Sequence, residues 1–416
     1  MTSNYPPLRL RRNEERRLRA GHLWLYSNEV DIARTPLADM EPGTVVRVED
    51  HQGHAIGLAH VSPHSLLCGR LLSRDVTESI DRHFYRRRLA GARVLRERLL
   101  DTPFHRLVHG EGDGLPGLII DCHGDSLVLQ IGSQGMERDL PLIVDAIRAE
   151  IPHTGILLKA TGTPRKLEGL AERVELLTGD VPAEIQIEEN GCRFWIDPYA
   201  GQKTGWFYDH RANRQLLQRF AAGRRVLDLF SYSGAFALPL AQAGAAEVLA
   251  VDSSKSALEL LQRNAVLNGL AQIQTQQSDA LESLRLLRDR GEGFDLIVLD
   301  PPALIKSRKD LKEGIQAYRR LNDLALRLLR PGGLLFSASC SFHMQREMLL
   351  QEIRQATLRS PSVIVAEGNQ DMDHPVVPAV PESRYLKAFL LQRTDYGEEG
   401  DESSMAAHEI RSERRF

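Results

Sequence analysis

The chain contains no uninterrupted apolar run long enough to cross a membrane, and its Arg-rich start lacks the apolar segment and cleavage site of a secretory signal. No membrane partner is expected, and the cytoplasm is the expected compartment. Cysteine is scarce: Cys68, Cys122, Cys192 and Cys340 stand far apart with no Cys-x-x-Cys pair. That spacing suggests neither a disulfide framework nor a zinc site, so no metal is expected and each thiol is judged alone. The Gly-x-Gly-x-x-Gly fingerprint of a nicotinamide dinucleotide site is also missing.

What is present is ordinary for a globular protein, with 42% hydrophobic and 26% charged residues, and 416 residues allow two or three domains. The net charge of -3 hides an uneven distribution. The first hundred residues carry about 17 Arg against about 12 Asp plus Glu, roughly +5, which hints at a polyanionic partner while also fitting a merely solvated face. The segment 394–416 contains GEEGDE and little apolar content, and disorder is expected there.

Residues 1–75 read as a small, mostly β unit whose runs around VVRVED and HAIGLAHV resemble a PUA domain, a small RNA-binding barrel. Trp24 and Tyr26 fit either RNA stacking or a core. Residues 76–183 read as a central α+β domain: Ile80 to Leu100 has a helical apolar stripe opposite an Arg-covered face, two β runs follow, and Met136 to Glu150 is helical. Asp113 and its neighbours match turn chemistry better than a calcium loop, because the terminal Glu and flanking helices are missing. Glu184 to Ile196 is a hairpin turning at Asn190-Gly191. It leads into DPYAGQKTGWFYDHRANR, where Gly201 and Gly205 permit close backbone approach and Gln202, Lys203 and Thr204 supply donors.

From Arg225 the alternation of a parallel α/β domain is regular. RVLDLFSYSGAFALPL reads as strand, tight turn and helix, a junction that presents backbone N–H groups and a positive helix end to a ligand. Later strands end at Asp252, Asp279 and Asp300, so with Asp228 four carboxylates recur about 24, 27 and 21 residues apart at one sheet edge. This acidic series fits S-adenosylmethionine. Asp252 is positioned for the ribose hydroxyls and Asp279 for the adenine amine, while Asp228 and the turn through Phe230, Tyr232 and Gly234 would hold the methionine portion.

From about Leu8 to Gln392 the chain resembles the RlmI-type class I RNA methyltransferases, on HGEGDGLPGLIID, RKLEGL, ENG, GQKTGWFYDHRANR, LDLFSYSGAFAL, RNAVLNG, LDPP, SASCSFHM and PESRYLK. The resemblance implies an α/β fold class: a Rossmann-like class I methyltransferase domain over 184–393, preceded by the PUA-like and central α+β domains. It also implies methylation of cytosine C5 in large-subunit (23S) ribosomal RNA. Phe230 and Tyr232 stand where generic methyltransferases carry glycines, a variant the family shows. Trp206 and Tyr208 replace an expected Phe and Leu.

Pyrimidine C5 accepts a methyl group only after a thiolate adds at C6, which requires one cysteine and a base. Cys340, at the end of LLFSASC, is the candidate nucleophile, although Phe336, Ala338, Cys340 and Phe342 also alternate as a buried face would. Asp300, in Asp-Pro-Pro, would hold the N3 and amino edge of the base. Ala303 follows where amino-methylating enzymes carry an aromatic ring, which disfavours N-methylation. No second cysteine stands beside Asp300 to release the enzyme, and Glu382 is the candidate base, with an exposed structural Glu as its bland counterpart. Lys306, Arg308, Lys309 and Lys312 are offered to phosphates. The single-cysteine arrangement also resembles uracil-5 RNA methyltransferases. A non-catalytic RNA-binding or ribosome-assembly factor keeping the cofactor fold is a further alternative, and a small-molecule methyltransferase is disfavoured by the amino-terminal unit. The oligomeric state, a homodimer included, is left open.

Overall fold

The computed structural model describes residues 5–394; the acidic tail from 395 onward lies outside the described residues. The chain divides into two compact units, the first formed by 5–189, 194–211 and 371–384, the second by 190–193, 212–370 and 385–394.

The first unit contains two five-stranded sheets. One runs in the order Pro7–Arg9, Val45–Glu49, Ala55–Val61, Leu67–Ser73, Trp24–Tyr26, and packs Leu8, Leu25, Val46, Val48, Val61 and Leu71 into its own core. The other runs Arg173–Gly179, Gly155–Ala160, Ser126–Ile131, Leu118–His123, Phe104–His109. The expected Arg-covered helix is Arg82–Leu99. It starts where Asp81 accepts the His83 and Phe84 N–H groups, and it buries Phe84, Tyr85, Leu89 and Ala92. The expected single helix from Met136 is two, Gln134–Arg138 and Leu140–Glu150, because Pro141 opens a new first turn.

The second unit is built on one seven-stranded sheet. Its strands are β1 (Arg225–Leu229), β2 (Glu247–Asp252), β3 (Ile273–Gln277), β4 (Phe294–Leu299), β5 (Leu329–Ser339), β6 (Ser362–Gly368) and β7 (Lys387–Arg393). The spatial order is β3-β2-β1-β4-β5-β7-β6; β1 to β5 are mutually parallel, and β7 runs antiparallel to β5 and β6. Val226, Leu227 and Leu229 are all buried, as expected of a strand covered on both faces. The order reverses at β1, so the crevice at the carboxyl end of β1 is the topological switch point where open α/β sheets bind ligands.

Two boundaries differ from the pattern reading. Pro331-Gly332-Gly333 does not precede the strand but bulges within it: Phe294 pairs with Leu329 and Leu296 with Leu334, so the residues between are looped out. Asp279 stands two residues past β3 as the N-cap of helix Ala280–Asp289.

Candidate active site

The carboxyl edge of β1 to β5 collects Asp228 inside β1, Asp252 at the end of β2, Asp279 beyond β3, Asp300 next after β4 and Cys340 next after β5. After β1 the chain turns through Phe230 (φ 65°), Tyr232 (φ 49°) and Gly234 (φ 91°), three left-handed positions in five residues. The first two are the positions where the sequence puts aromatics in place of glycine, at a cost of order ~1–3 kcal/mol each. The fold holds the turn with specific bonds: the Tyr232 N–H donates to Asp252 Oδ2 at 2.9 Å, and Asn264 Nδ2 donates to the Ser233 carbonyl at 3.2 Å. Gly234 is required by space as well as φ, since a Cβ there would stand 2.3 Å from Leu238 Cδ1 and 2.9 Å from Leu261 Cγ. The following helix, Ala237–Gln242, therefore packs directly on the turn.

Asp228 is 1% exposed, and neither carboxylate oxygen has a hydrogen-bond partner of ordinary geometry among the described residues. Burial pushes its carboxyl well above the ordinary value, and the negative charges of Asp300 and Asp252 push the same way; the nearby Ala237 N–H and the Arg214 guanidinium oppose this only in part. The Ser231 and Ser233 hydroxyls in the adjoining turn are also buried without partners. A buried carboxyl and two hydroxyls left unsatisfied form a set that could take a polar, cationic ligand group such as the α-ammonium of an amino-acid cofactor. Asp252 uses one lone pair on each oxygen, for Tyr232 and for the Ser254 N–H at 2.8 Å, and two remain for a pair of hydroxyls. Asp279 caps its helix through Oδ1, which accepts from Leu281 and Glu282 at 2.9 and 3.1 Å, leaving Oδ2 toward solvent.

Of the four cysteines, Cys68, Cys122 and Cys192 are buried and Cys340 is half-buried. Burial drives Cys68 up to about 12 and Cys122 higher still, which makes them inert at neutral pH. The alternating buried face breaks off at Cys340: Phe336 and Ala338 are fully buried, whereas Phe342 is 55% exposed. Because Leu299 pairs with Ser337, the ends of β4 and β5 are adjacent, and Cys340 Sγ lies 4.0 Å from the Pro301 carbonyl. Asp-Pro-Pro and the thiol are thus neighbours. Ser339 and Ser341 flank Cys340, and their hydroxyls meet the buried Tyr318 hydroxyl at 2.8 and 3.0 Å. Ser341 Oγ also accepts the Ile305 N–H at 3.3 Å. From β7, Lys387 Nζ donates to the Ser341 carbonyl at 2.8 Å and the Tyr385 carbonyl at 2.7 Å. Tyr318 and Lys387 were not legible as site residues. Lys387 figures in the sequence only as the last residue of PESRYLK, opening the apolar run KAFLLQ.

The remaining candidates belong to the first unit. Lys203 adopts φ 49° with its Nζ 4.6 Å from the Phe207 ring centre, Gln202 is exposed beside it, and Gly205 has φ 105° with room limited by the Asp197 carbonyl. Thr204 is fully buried, its hydroxyl donating to Asp121 and its carbonyl accepting from His123 Nε2 at 3.0 Å. Its side chain serves the fold, and only its backbone is left for a ligand. Trp206 and Tyr208 are likewise buried, the latter donating to the Cys122 carbonyl at 2.9 Å. Glu382 is half-buried, 3.6 Å from His22 Nε2. Asp113 pairs with Arg96, and much of the Arg excess is matched: Arg86 with Glu150, Arg87 with Glu78, Arg93 with Glu97, Arg9 with Glu49. In the second unit Lys306, Arg308, Lys309 and Lys312 are exposed, and none forms an ion pair among the described residues.

Among the described residues no helix is long and apolar enough to cross a membrane. Comparison with known proteins finds the S-adenosylmethionine-dependent methyltransferase family over residues 170–392 and a PUA-like domain over 8–74. The chain is 37% identical over 393 residues to the ribosomal RNA large subunit methyltransferase I of Erwinia tasmaniensis, covering 92% of this chain and 98% of that one. It is 36% identical over 393 residues to the protein of the same name from Shewanella denitrificans, at the same coverage. Among solved structures, SMU.776, described as a methyltransferase and complexed with SAH, is similar in fold with a TM-score of 0.82 at 24% identity, covering 93% of this chain and 100% of that one.

Proposed function

Because the chain belongs to the S-adenosylmethionine-dependent methyltransferase family that includes the ribosomal RNA large subunit methyltransferase I proteins, we propose that it methylates C5 of a cytosine in large-subunit (23S) ribosomal RNA. The observation that carries the reading is the pairing of Cys340, the one cysteine that is not buried, with Asp300-Pro301 at adjoining strand ends. Such a substrate puts the work in the cytoplasm.

Asp228 and the turn from Phe230 through Tyr232 to Gly234 hold the amino-acid end of the cofactor, Asp252 its ribose and Asp279 Oδ2 its adenine amine. The bound cofactor supplies the methyl group as an electrophile. Cys340, as thiolate, forms a bond to C6 of the base, and the C5=C6 electron pair moves to C5, making it nucleophilic. Asp300 holds the N3 and amino edge and favours the protonated ring, which makes C6 a better electrophile. After methylation a base takes the C5 proton, the pair re-forms C5=C6, and the C6–S bond breaks to return the thiolate. Gln202, Lys203, Thr204 through its backbone and Gly205 as further cofactor contacts, and Glu382 as the base, rest on the sequence reading alone.

The target base has to leave its stack, at a cost of a few kcal/mol that loops in ribosomal RNA reduce. The unpaired cations at Lys306, Arg308, Lys309 and Lys312 supply phosphate affinity. The test is to map methylated pyrimidines by mass spectrometry in ribosomal RNA from cells with and without the protein. Loss of one 5-methylcytosine supports the reading, and loss of a 5-methyluridine instead identifies a uracil-5 enzyme. Cys340→Ala is expected to abolish transfer while leaving cofactor binding intact, and RNA containing 5-fluorocytosine is expected to form a covalent adduct with the wild type. Full activity of the alanine variant would remove Cys340 from the mechanism.

A further inference from the structure

Lys387 opens β7 directly across from Ser339 in the antiparallel register, one residue before Cys340 on the paired strand. It is 7% exposed. Two of its three N–H donors reach the Ser341 and Tyr385 carbonyls, and among the described residues no carboxylate lies within ion-pairing distance. A buried ammonium without an anion is expensive unless one arrives during the protein's work. The one titratable group that acts on it is Cys340, whose negative form favours the ammonium. Tyr318, whose hydroxyl also interacts with Cys340, stays neutral because burial raises it, and Asp300 stands at the adjoining end of β4.

We infer that Lys387 is a positioning residue for Cys340, its ammonium fixed by the Ser341 and Tyr385 carbonyls so that the thiol ionises to a thiolate beside it. The S–H bond breaks, its electron pair stays on sulfur, and the proton leaves to solvent; no other reactant is needed. Burial holds Lys387 itself down to about 8, so the cation is present at neutral pH and is lost in alkali. A lysine that merely tied down two carbonyls would have no effect on the sulfur. The inference rests on the reading of Cys340 as nucleophile.

The experiment uses the full chain without RNA: iodoacetamide alkylation of Cys340, followed by peptide mass spectrometry from pH 6 to 10, with the three buried cysteines as internal controls. In the wild type the alkylation midpoint is expected below the ordinary thiol value of about 8.5. Lys387→Met is expected to raise the midpoint by about one unit and lower the rate at pH 7 about tenfold, while Lys387→Arg keeps the wild-type profile. Calorimetric binding of S-adenosylhomocysteine reports whether each variant is folded. A wild-type midpoint at or above 8.5, or a folded Lys387→Met variant with an unshifted midpoint, overturns the inference. If Lys387→Met does not fold, the wild-type midpoint alone decides. An active Cys340→Ala variant would instead remove the reading beneath it, whereas an inactive one with an ordinary wild-type midpoint removes only the role of Lys387.

Discussion

Asp228→Asn tests the cofactor site through stability and affinity at once, and the two are expected to move in opposite directions. In the unliganded protein Asp228 is a carboxylate buried without a well-formed hydrogen bond. Its folded-state value is raised above the ordinary one, so the folded protein holds this proton more tightly than the unfolded chain does. Stability from this group is therefore full below the ordinary carboxylate value and is lost as pH rises through the raised one. Above the raised value the charged form is carried at a cost. An unpaired buried amide costs about 1–3 kcal/mol and an unpaired buried charge several, so the asparagine is expected to gain about 1–2 kcal/mol. For a unit of this size that is a rise in Tm of about 2–8 °C, with the gap to wild type widening as pH rises from the ordinary carboxylate value toward the raised one. The cofactor ammonium loses its anion in the same variant. Removing one partner of a buried charge pair costs about 2–5 kcal/mol, and even the lower half of that range weakens binding roughly 30- to 300-fold. Thermal unfolding of the apo forms and calorimetric titration with S-adenosylmethionine at each pH measure both quantities. An asparagine variant that is less stable than wild type at every pH and binds the cofactor equally well would refute the placement.

Neutralising Lys306, Arg308, Lys309 and Lys312 to Gln is expected to weaken RNA binding and to flatten the plot of log K against log salt by about 0.7 for each single-strand phosphate that is no longer neutralised; an unchanged slope clears the loop of a phosphate role. Gly234→Ala forces a Cβ into Leu238 and Leu261 at a left-handed φ, so denaturant unfolding should show a loss of about 2–4 kcal/mol. Thr204→Val removes the donor to the fully buried Asp121 and should cost about 1–3 kcal/mol of stability without changing the Kd for the cofactor; a large Kd change would return the Thr204 side chain to the binding site.

The α/β domain was legible because its signals are local. A short, mainly apolar run, a turn and a helix follow one another in RVLDLFSYSGAFALPL, and the next three strands end at or just before an acidic residue. The placement of Cys340 and Asp300 at adjoining strand ends was legible because the alternation of strand and helix fixes the direction of each strand. What escaped depends on partners distant in sequence. Thr204 looked like a free donor, and only the pairing with Asp121, 83 residues away, shows its hydroxyl taken. Lys387 stood only at the end of PESRYLK, and its place beside the end of β5 follows from the antiparallel pairing of β7 with that strand. The Pro331-Gly332-Gly333 bulge and the helix break before Pro141 are local events, but the same residues also serve as ordinary stops, and packing chooses between the two.

The left-handed aromatics at Phe230 and Tyr232 have a kinetic and calorimetric meaning. A glycine-rich turn samples many shapes and must be frozen by its ligand, whereas here the shape is imposed during folding, by β2 and the helix behind it. Association with the cofactor should then involve little loop ordering: its heat-capacity change should match the apolar area covered, and backbone amides from Phe230 to Gly234 should exchange slowly even before any ligand is added.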